Sequence, residues 1–195
     1  MGLNKPTNRK IIHQRHIQCN GYLRDDGLWD IEAHLTDDKG YTFPTLHRGT
    51  LQPGELVHEL WLRLTLTDKL IIEDVEASMP VTPFNICKEV EPNFKQLVGL
   101  KIGKGWIKQV HQRIGGINGC SHLVELLRPM ATTAIQTILP YRTFGEDGRF
   151  PMNDGLLNSC HSFSDQHTII AEFWPEKYQG QELINIKHEK KHEPH

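Results

Sequence analysis

The stretch GGINGCSHLVELL, residues 115–127, places a thiol, an imidazole and a carboxylate at the predicted start of a helix. Cys120 follows a glycine, and the positive end of a helix stabilises a thiolate and lowers the thiol pKa. His122 can point to the same opening, and Glu125 lies three residues further along the same helix face. The three side chains therefore predict a metal site or a nucleophile with its base. A packed cysteine, a capping histidine and a surface glutamate are the equally open alternative.

The cysteine and histidine content of the chain bears on that choice. The four cysteines lie far apart and form no CxxC pair: Cys19, Cys87, Cys120 and Cys160. They are expected to be reduced thiols, as is usual in a cytosolic protein. The twelve histidines are a high number for 195 residues. They strengthen the expectation of a metal or acid–base site.

Charge and motif patterns exclude several classes of function. The formal net charge is -2, and the 22 basic residues are scattered among 24 acidic ones. A nucleic-acid partner or an anionic membrane surface would require clustered lysine and arginine, so neither is expected. No apolar run approaches the ~18 residues of a membrane span, and the first ten residues lack the apolar region of a secretory signal. The expected location is cytoplasmic. No phosphate-binding glycine loop occurs, so no nucleotide cofactor is expected.

The first two thirds of the chain alternate between strand and turn signals. HIQCNGYL and LWDIEAHL each place apolar residues at every second position, and RDDG and TDDKG are interpreted as turns. HELWLRLTL and LIIEDVEAS form the clearest hairpin. Residues 11–57 are thus predicted to be an N-terminal β meander.

Helical spacing replaces this alternation after the hairpin. GWIKQVHQRI predicts one helix, and an apolar stripe from Cys120 to Ile138 predicts another. Pro129 lies inside that stripe, so a kink or two helical segments are expected. HTIIAEFW, residues 167–174, is interpreted as a further strand, and the charged tail 186–195 as disordered. The predicted fold is a single α+β domain over residues 1–195, an antiparallel meander sheet with helices packed on one face.

The chain resembles the bacterial Domain of Unknown Function 2889 family over roughly residues 15–140. The segments that carry the resemblance are GYLRDDGLWDIEAHLTDDKGY, GELVHELWLRLTLTDKLIIEDVEASM, PFNIC, LVGLKIGKGW and GGINGCSHLVELLRPMATTAIQT. The motifs are specific in combination, and the family name implies no activity.

Residues 58–138 also resemble, more distantly, the scaffold proteins of iron–sulfur cluster assembly of the IscU/NifU type. LIIEDVEA followed by a cysteine, and GCSHLVEL at a helix start, carry this resemblance. It implies an IscU-like hairpin and helices over 58–138, preceded by the N-terminal strands. Its register pairs Cys120 with the last cysteine ligand of those proteins, Glu125 with a helix acid, and His58 with a ligand-side aspartate.

The departures from the scaffold pattern limit what the resemblance implies. The first scaffold cysteine is absent, with Leu56 in its place, and the histidine before the last cysteine is Gly119. Cys87 follows about five residues later than its counterpart. The resemblance therefore implies a shared fold and pocket more than cluster assembly.

These observations together give a site hypothesis. His58, Cys87 and Cys120 are expected to bind Zn or Fe, since sulfur and imidazole ligands suit both metals. His122 and Glu125 are expected to act in catalysis. Arg24, Trp29 and His34 of the N-terminal meander are expected to wall a substrate cavity, and Arg24 and His34 are expected to act in catalysis as well.

The expected function is that of a metal-dependent lyase or hydrolase acting on a small organic molecule. One alternative is an iron–sulfur cluster binding or assembly protein. Others are a cofactorless enzyme with Cys120 as nucleophile and His122 or His58 as base, and an interaction module in which these residues only pack. Substrate, reaction, metal and the formation of homo-oligomers are left open.

Overall fold

The computed structural model describes residues 2–143 and 155–180 of the chain. The chain divides into two compact units, residues 1–142 and 143–195. The first unit contains the sheet and the long helices. The organisation of the chain as a single domain stays a prediction.

The first unit is built on an antiparallel meander sheet, as the sequence predicts. Its strands are β1 (His13–Leu23), β2 (Trp29–Lys39), β3 (Phe43–Thr45), β4 (Gly49–Leu51), β5 (Leu56–Leu66) and β6 (Ile72–Val81). β1, β2, β5 and β6 form one four-stranded sheet in that order, while β3 and β4 form a separate hairpin. β2 continues through TDDK, so the interpretation of residues 36–39 as a turn is wrong. Antiparallel pairing with β1 on one side and β5 on the other holds these polar residues extended.

One face of the sheet is apolar because the strands alternate. In β2 and β5 every second residue is buried: Trp29, Ile31, Ala33, Leu35, Leu60, Leu62, Leu64 and Leu66. Side chains of a strand alternate between the two faces, so these residues share one face of the sheet. The register brings Leu35 opposite Leu60 and Ala33 opposite Leu62. The core lies on this face.

Helices cover the apolar face, as expected for the α+β fold. A 3-10 helical segment, Asn85–Leu97, is followed by α1 (Trp106–Ile114) and α2 (Ser121–Thr143). Their buried residues join the strand residues in one hydrophobic core. α2 continues through Pro129, so the alternative of two separate segments is wrong, and the kink stays a prediction. Its apolar stripe packs on the sheet on both sides of the proline, and this packing supports the helix where one hydrogen bond is lost.

The direction of α2 along the sheet follows from three contacts. Its first turns lie near the start of β1, since Arg15 donates a hydrogen bond to Glu125 at 3.1 Å. Further along, a Cβ on Gly21 would lie 2.1 Å from the hydroxyl of Thr137, so glycine permits the helix to approach β1 closely. Near the helix end, Tyr141 makes an edge contact with the ring of Trp29. The start of α2 therefore lies at one end of the sheet, where β1 begins.

Gly119, just before α2, is required by steric contact rather than by backbone angle. A Cβ at this position would lie 2.2 Å from the carbonyl oxygen of Ile114, and the backbone there is extended. We expect Gly119→Ala to lower the free energy of unfolding by about 1–3 kcal/mol, the usual effect of overpacking. Urea denaturation measures it. Gly103→Ala is the matched control, because a Cβ there meets nothing within 4 Å; equal losses in both variants would contradict this explanation.

The described part of the second unit, residues 155–180, contains α3 (Thr168–Phe173) and two short 3-10 turns, His161–Phe163 and Pro175–Lys177. The interpretation of residues 167–174 as a strand is therefore wrong. A short apolar run forms a strand only beside a partner strand, and here the backbone bonds locally, as from Ala171 to His167. The tail 186–195 lies outside the described residues. Among the residues that the structure describes, no helix combines the length and apolar character that crossing a membrane requires.

Candidate metal site

The apolar stripes of three strands end in polar residues at one end of the sheet. Arg15 pairs with Asp37 across β1 and β2, and Asp37 pairs with His58 across β2 and β5. Asp37 continues the buried series that ends at Leu35, and His58 precedes Leu60 on the same face. The start of α2 reaches this end of the sheet. The polar residues are therefore placed between the sheet and the first turns of the helix.

Asp37 is a buried carboxylate held by an arginine. Its side chain is only 2% exposed. Arg15 donates from Nε to Oδ1 at 2.7 Å and from Nη2 to Oδ2 at 2.8 Å, a two-point pairing that fixes the plane of the carboxylate. Burial raises the pKa of Asp37, but the hydrogen bonds and charge of Arg15 outweigh burial and leave that pKa below its usual value. Asp37 is consequently ionised at neutral pH.

Histidines surround this carboxylate. Nε2 of His13 lies 3.5 Å from Oδ1 of Asp37, and two further histidines complete the group of possible metal ligands. Nδ1 of His58 lies 3.1 Å from Oδ2 of Asp37, and the rings of His58 and His122 are 4.3 Å apart. Burial and the nearby His122 lower the pKa of His58 against the opposing effect of Asp37. His58 is therefore neutral at pH 7, the form in which imidazole binds metals.

The lowered pKa of His58 makes a prediction for the metal-free protein. The unfolded chain binds a proton to this histidine near pH 6.5, whereas the folded chain does so at lower pH. The contribution of His58 to the free energy of unfolding is complete above the pKa that His58 has in the unfolded chain. This contribution is lost as the pH falls through the pKa of His58 in the folded chain. We expect urea denaturation between pH 7.5 and 5.5 to show that decline in the wild type. The decline in the free energy of unfolding should be smaller in His58→Asn. An identical decline in the wild type and the variant would contradict its assignment to His58.

Asp37, His58 and His122 form a group whose ligand atoms, one from each residue, all lie within 4.8 Å of one another. Two ligands bonded at ~2.1 Å to a tetrahedral ion lie roughly 3.4 Å apart. The separation of 3.1 Å between Asp37 and His58 is close to that value. Small side-chain adjustments would therefore suffice for these residues to bind one ion.

Cys120 and Glu125 lie beside this group rather than in it. Sγ of Cys120 is 3.8 Å from Nδ1 of His122, and Glu125 accepts the Nη1 hydrogen bond of Arg15. Both residues also line a cavity of about 220 Å³ between the end of α1 and the start of α2. Its apolar wall is formed by Ile114 and Val124. A small molecule in this cavity would contact Cys120, which contacts the candidate ligand His122, and Glu125, which contacts Arg15.

The other residues expected to share the site lie elsewhere. Cys87 belongs to the 3-10 segment and packs against the core; it is not part of the group of three. His34 lies on the opposite face of the sheet, where its ring stacks on Trp61 at 3.7 Å. Arg24 lies in the β1–β2 turn at the far end of the sheet and pairs with Asp26 there. The structure thus brings together His58, His122, Cys120 and Glu125 but not Cys87, His34 or Arg24.

The sequence interpretation missed Asp37 and Arg15. The composition of TDDKG predicts a turn at Asp37, and Arg15 precedes the clearest alternation of β1. Extending the period-two pattern of β2 by one more step past Leu35 selects Asp37 as an inward-facing residue. A carboxylate at an inward position is rare unless it is paired, and that would have been the signal.

Comparison with known proteins agrees with the family resemblance. A model of the family described as "Protein of unknown function (DUF2889)" matches residues 13–136. This range contains Arg15, Asp37, His58 and His122. No curated protein and no solved structure matches the chain significantly. The more distant resemblance to iron–sulfur scaffold proteins stays a prediction.

Proposed function

The chain belongs to the family described as "Protein of unknown function (DUF2889)", and, because that description gives no activity, we propose a function from the site geometry. In this proposal the protein is a metal-dependent enzyme that binds Zn²⁺ or Fe²⁺ through Asp37, His58 and His122. Its reaction is hydrolysis or elimination on a small organic molecule. The observation that carries the proposal is the convergence of these three ligand atoms from two strands and a helix.

The chemistry of the donors supports this choice of metals. Two imidazoles and one carboxylate are a common set for catalytic zinc and for non-haem iron, and three protein ligands leave a coordination position open. Hard ions such as Mg²⁺ and Ca²⁺ are bound mainly by oxygen ligands, and here one carboxylate is already neutralised by Arg15. The set keeps His58 and takes His122, which the sequence offers both as a catalytic residue and as a candidate ligand, in the ligand role. It adds Asp37 and leaves out Cys87 and Cys120.

A bound ion of this kind acts as a Lewis acid and lowers the pKa of water. The chain's own residues supply the surroundings. Arg15 fixes the carboxylate plane of Asp37, and in the metal-free protein Asp37 orients the ring of His58. Glu125 presents a carboxylate at the cavity and can accept a proton there. The apolar wall of the cavity excludes water from part of the substrate.

Metal analysis tests the proposal directly. Protein purified without an affinity tag should contain zinc or iron close to one equivalent per chain. His58→Ala and His122→Ala should each lower the content, and their dissociation constants for Zn²⁺ should rise by more than about a hundredfold, beyond the effect of losing an outer-shell partner. His34→Ala is the control, since His34 lies on the opposite face. Wild-type protein that takes up neither metal, or equal losses in all three variants, would contradict the proposal.

A second function is favoured by one specific contact. Cys120 Sγ and His122 Nδ1 are 3.8 Å apart, an arrangement in which the imidazole can activate the thiol as a nucleophile. A cofactorless Cys/His enzyme would be alkylated rapidly by iodoacetamide at Cys120, and His122→Gln would slow that reaction whether or not a chelator is present. Rapid alkylation only after chelation would instead favour the metal enzyme, in which bound metal restrains His122.

The proposal also covers cluster assembly, the class of substrate and the location of the protein. A cluster-assembly role would require sulfur ligands, and the group of three contains none. The formal net charge of -2 and the scattered basic residues favour a small-molecule substrate over a nucleic-acid partner. The separated cysteines favour a cytoplasmic location.

A further inference from the structure

Arg15 presents one fixed and partly solvent-accessible edge beside the candidate metal site. Its Nε and Nη2 atoms are both engaged by the buried carboxylate of Asp37. This two-point contact immobilises the guanidinium plane. The remaining nitrogen, Nη1, points away from Asp37 to Glu125. A cationic donor is thus held in place at low entropic cost for whatever binds on that side.

Glu125 holds that edge only weakly. Its side chain is 63% exposed, and that of Arg15 is 31% exposed. Ion pairs in such surroundings contribute little to stability because water competes for both partners. The contact between Arg15 and Asp37 is stronger than the one with Glu125, because Asp37 is buried and accepts two hydrogen bonds from Arg15. A carboxylate from solution can therefore replace Glu125 on Nη1 without disturbing the contact between Arg15 and Asp37.

The surroundings of Nη1 favour an anion with a small apolar part. Glu125 and Cys120 line the same cavity, with Ile114 and Val124 as its apolar wall. The cavity lies at the start of the 23-residue helix α2, where unpaired backbone N–H groups give a partial positive charge. Once Glu125 is displaced and a divalent ion is bound, the positive charges exceed the single negative charge of Asp37. The group now on Nη1 is itself a carboxylate, so another carboxylate reproduces its geometry.

We infer that Arg15 anchors the carboxylate of a small organic acid, which replaces Glu125 on Nη1 and extends its apolar part into the cavity beside Cys120. This inference rests on the proposed function and names its substrate class. Arg15 thereby has two roles, since one edge positions the ligand Asp37 and the other binds substrate. The anchored carboxylate is then separated from Asp37 only by the guanidinium of Arg15, which binds both.

Titration of the full-length protein with butyrate, followed by the NMR signal of the Arg15 side chain, tests the anchor. Butyrate should shift this signal at saturable concentrations, whereas butyramide, which has the same size and no charge, should not. Glu125→Gln removes the competing carboxylate and should tighten butyrate binding by about threefold to fivefold. Arg15→Lys keeps the charge, loses the planar fork and should weaken binding by at least about tenfold. Inorganic phosphate provides the comparison with the other common anion.

Glu76→Gln is the matched control. Glu76 is 66% exposed and pairs with Arg63 on the other face of the sheet, so its removal should leave butyrate binding unchanged. Because Glu125 is exposed, its variant tests the inference even where Arg15 variants fail to fold. Equal binding of butyramide, no gain in Glu125→Gln, or binding of phosphate alone would overturn the anchor.

The same titrations with and without Zn²⁺ separate this inference from the proposed function. Butyrate binding at Arg15 in a protein that takes up no zinc or iron would leave the anchor standing and refute the metal enzyme. Zinc bound through Asp37, His58 and His122 with no preference for carboxylates would refute the anchor and leave the metal enzyme standing. When both are correct, Zn²⁺ should tighten butyrate binding, since it adds positive charge next to Arg15.

Discussion

We expect Asp37→Ala to lower the free energy of unfolding by on the order of 3 kcal/mol relative to the wild type. The substitution removes the buried carboxylate and leaves the guanidinium of Arg15 and Nδ1 of His58 without it. Because the Arg15 side chain is partly exposed, the expected loss in the free energy of unfolding lies at the lower end of the range for removing one partner of a buried ion pair. Urea denaturation of the metal-free protein measures it, with a chelator present so that metal binding does not contribute.

A double variant distinguishes a charge-pair effect from loss of packing. Replacing both partners, as in Asp37→Leu with Arg15→Met, leaves no unpaired charge and should restore much of the stability. Asp38→Ala serves as a neighbouring control. Asp38 accepts a hydrogen bond from Gln14 at 3.3 Å, and losing one such bond typically destabilises by only about 1 kcal/mol. Single and double variants with simply additive losses would show that the pair is not coupled.

The second large effect is stabilisation by the metal itself. An ion that binds only the folded chain raises the free energy of unfolding by about 2.7 kcal/mol at a free concentration of a hundred times its dissociation constant. Wild-type protein should show this rise with Zn²⁺ in thermal or urea denaturation. His122→Ala should show almost none at the same Zn²⁺ concentration, because it removes the ligand that joins α2 to the sheet.

His16→Ala is the control for the zinc effect, since His16 is exposed and alternates with Arg15 along β1. Its response to Zn²⁺ should match that of the wild type. If His16→Ala lost the stabilisation as completely as His122→Ala, zinc would be acting at scattered surface histidines rather than at one site.

The sheet was predictable because its signal is local. Alternating apolar residues in LWDIEAHL and HELWLRLTL indicate the buried face of β2 and β5 directly, and the structure confirms it. The same rule failed at Asp37 because the residue is charged, and TDDKG has the composition of a turn. Strand pairing on both sides of β2 overrode that local preference.

The candidate site was only partly predictable because register is not a local property. Cys120, His122 and Glu125 are close in sequence, and their proximity could be inferred from helix geometry. The meeting of Arg15, Asp37 and His58 depends on which residues pair across three strands, and one residue of slippage would turn each side chain to the other face. The spacing of a distant resemblance predicts Cys87 in the site, but that spacing does not determine where the 3-10 segment packs.

The distances along the chain between the site residues have a consequence for folding order. Arg15 and Asp37 are separated by 22 residues, Asp37 and His58 by 21, and Arg15 and Glu125 by 110. Loops of this length must close before the group exists, so an isolated hairpin or helix contains no binding site. Metal uptake in a refolding experiment would therefore report the docking of α2 on the sheet. A bound ion absent from the transition state would also slow unfolding, which would lengthen the lifetime of the folded chain.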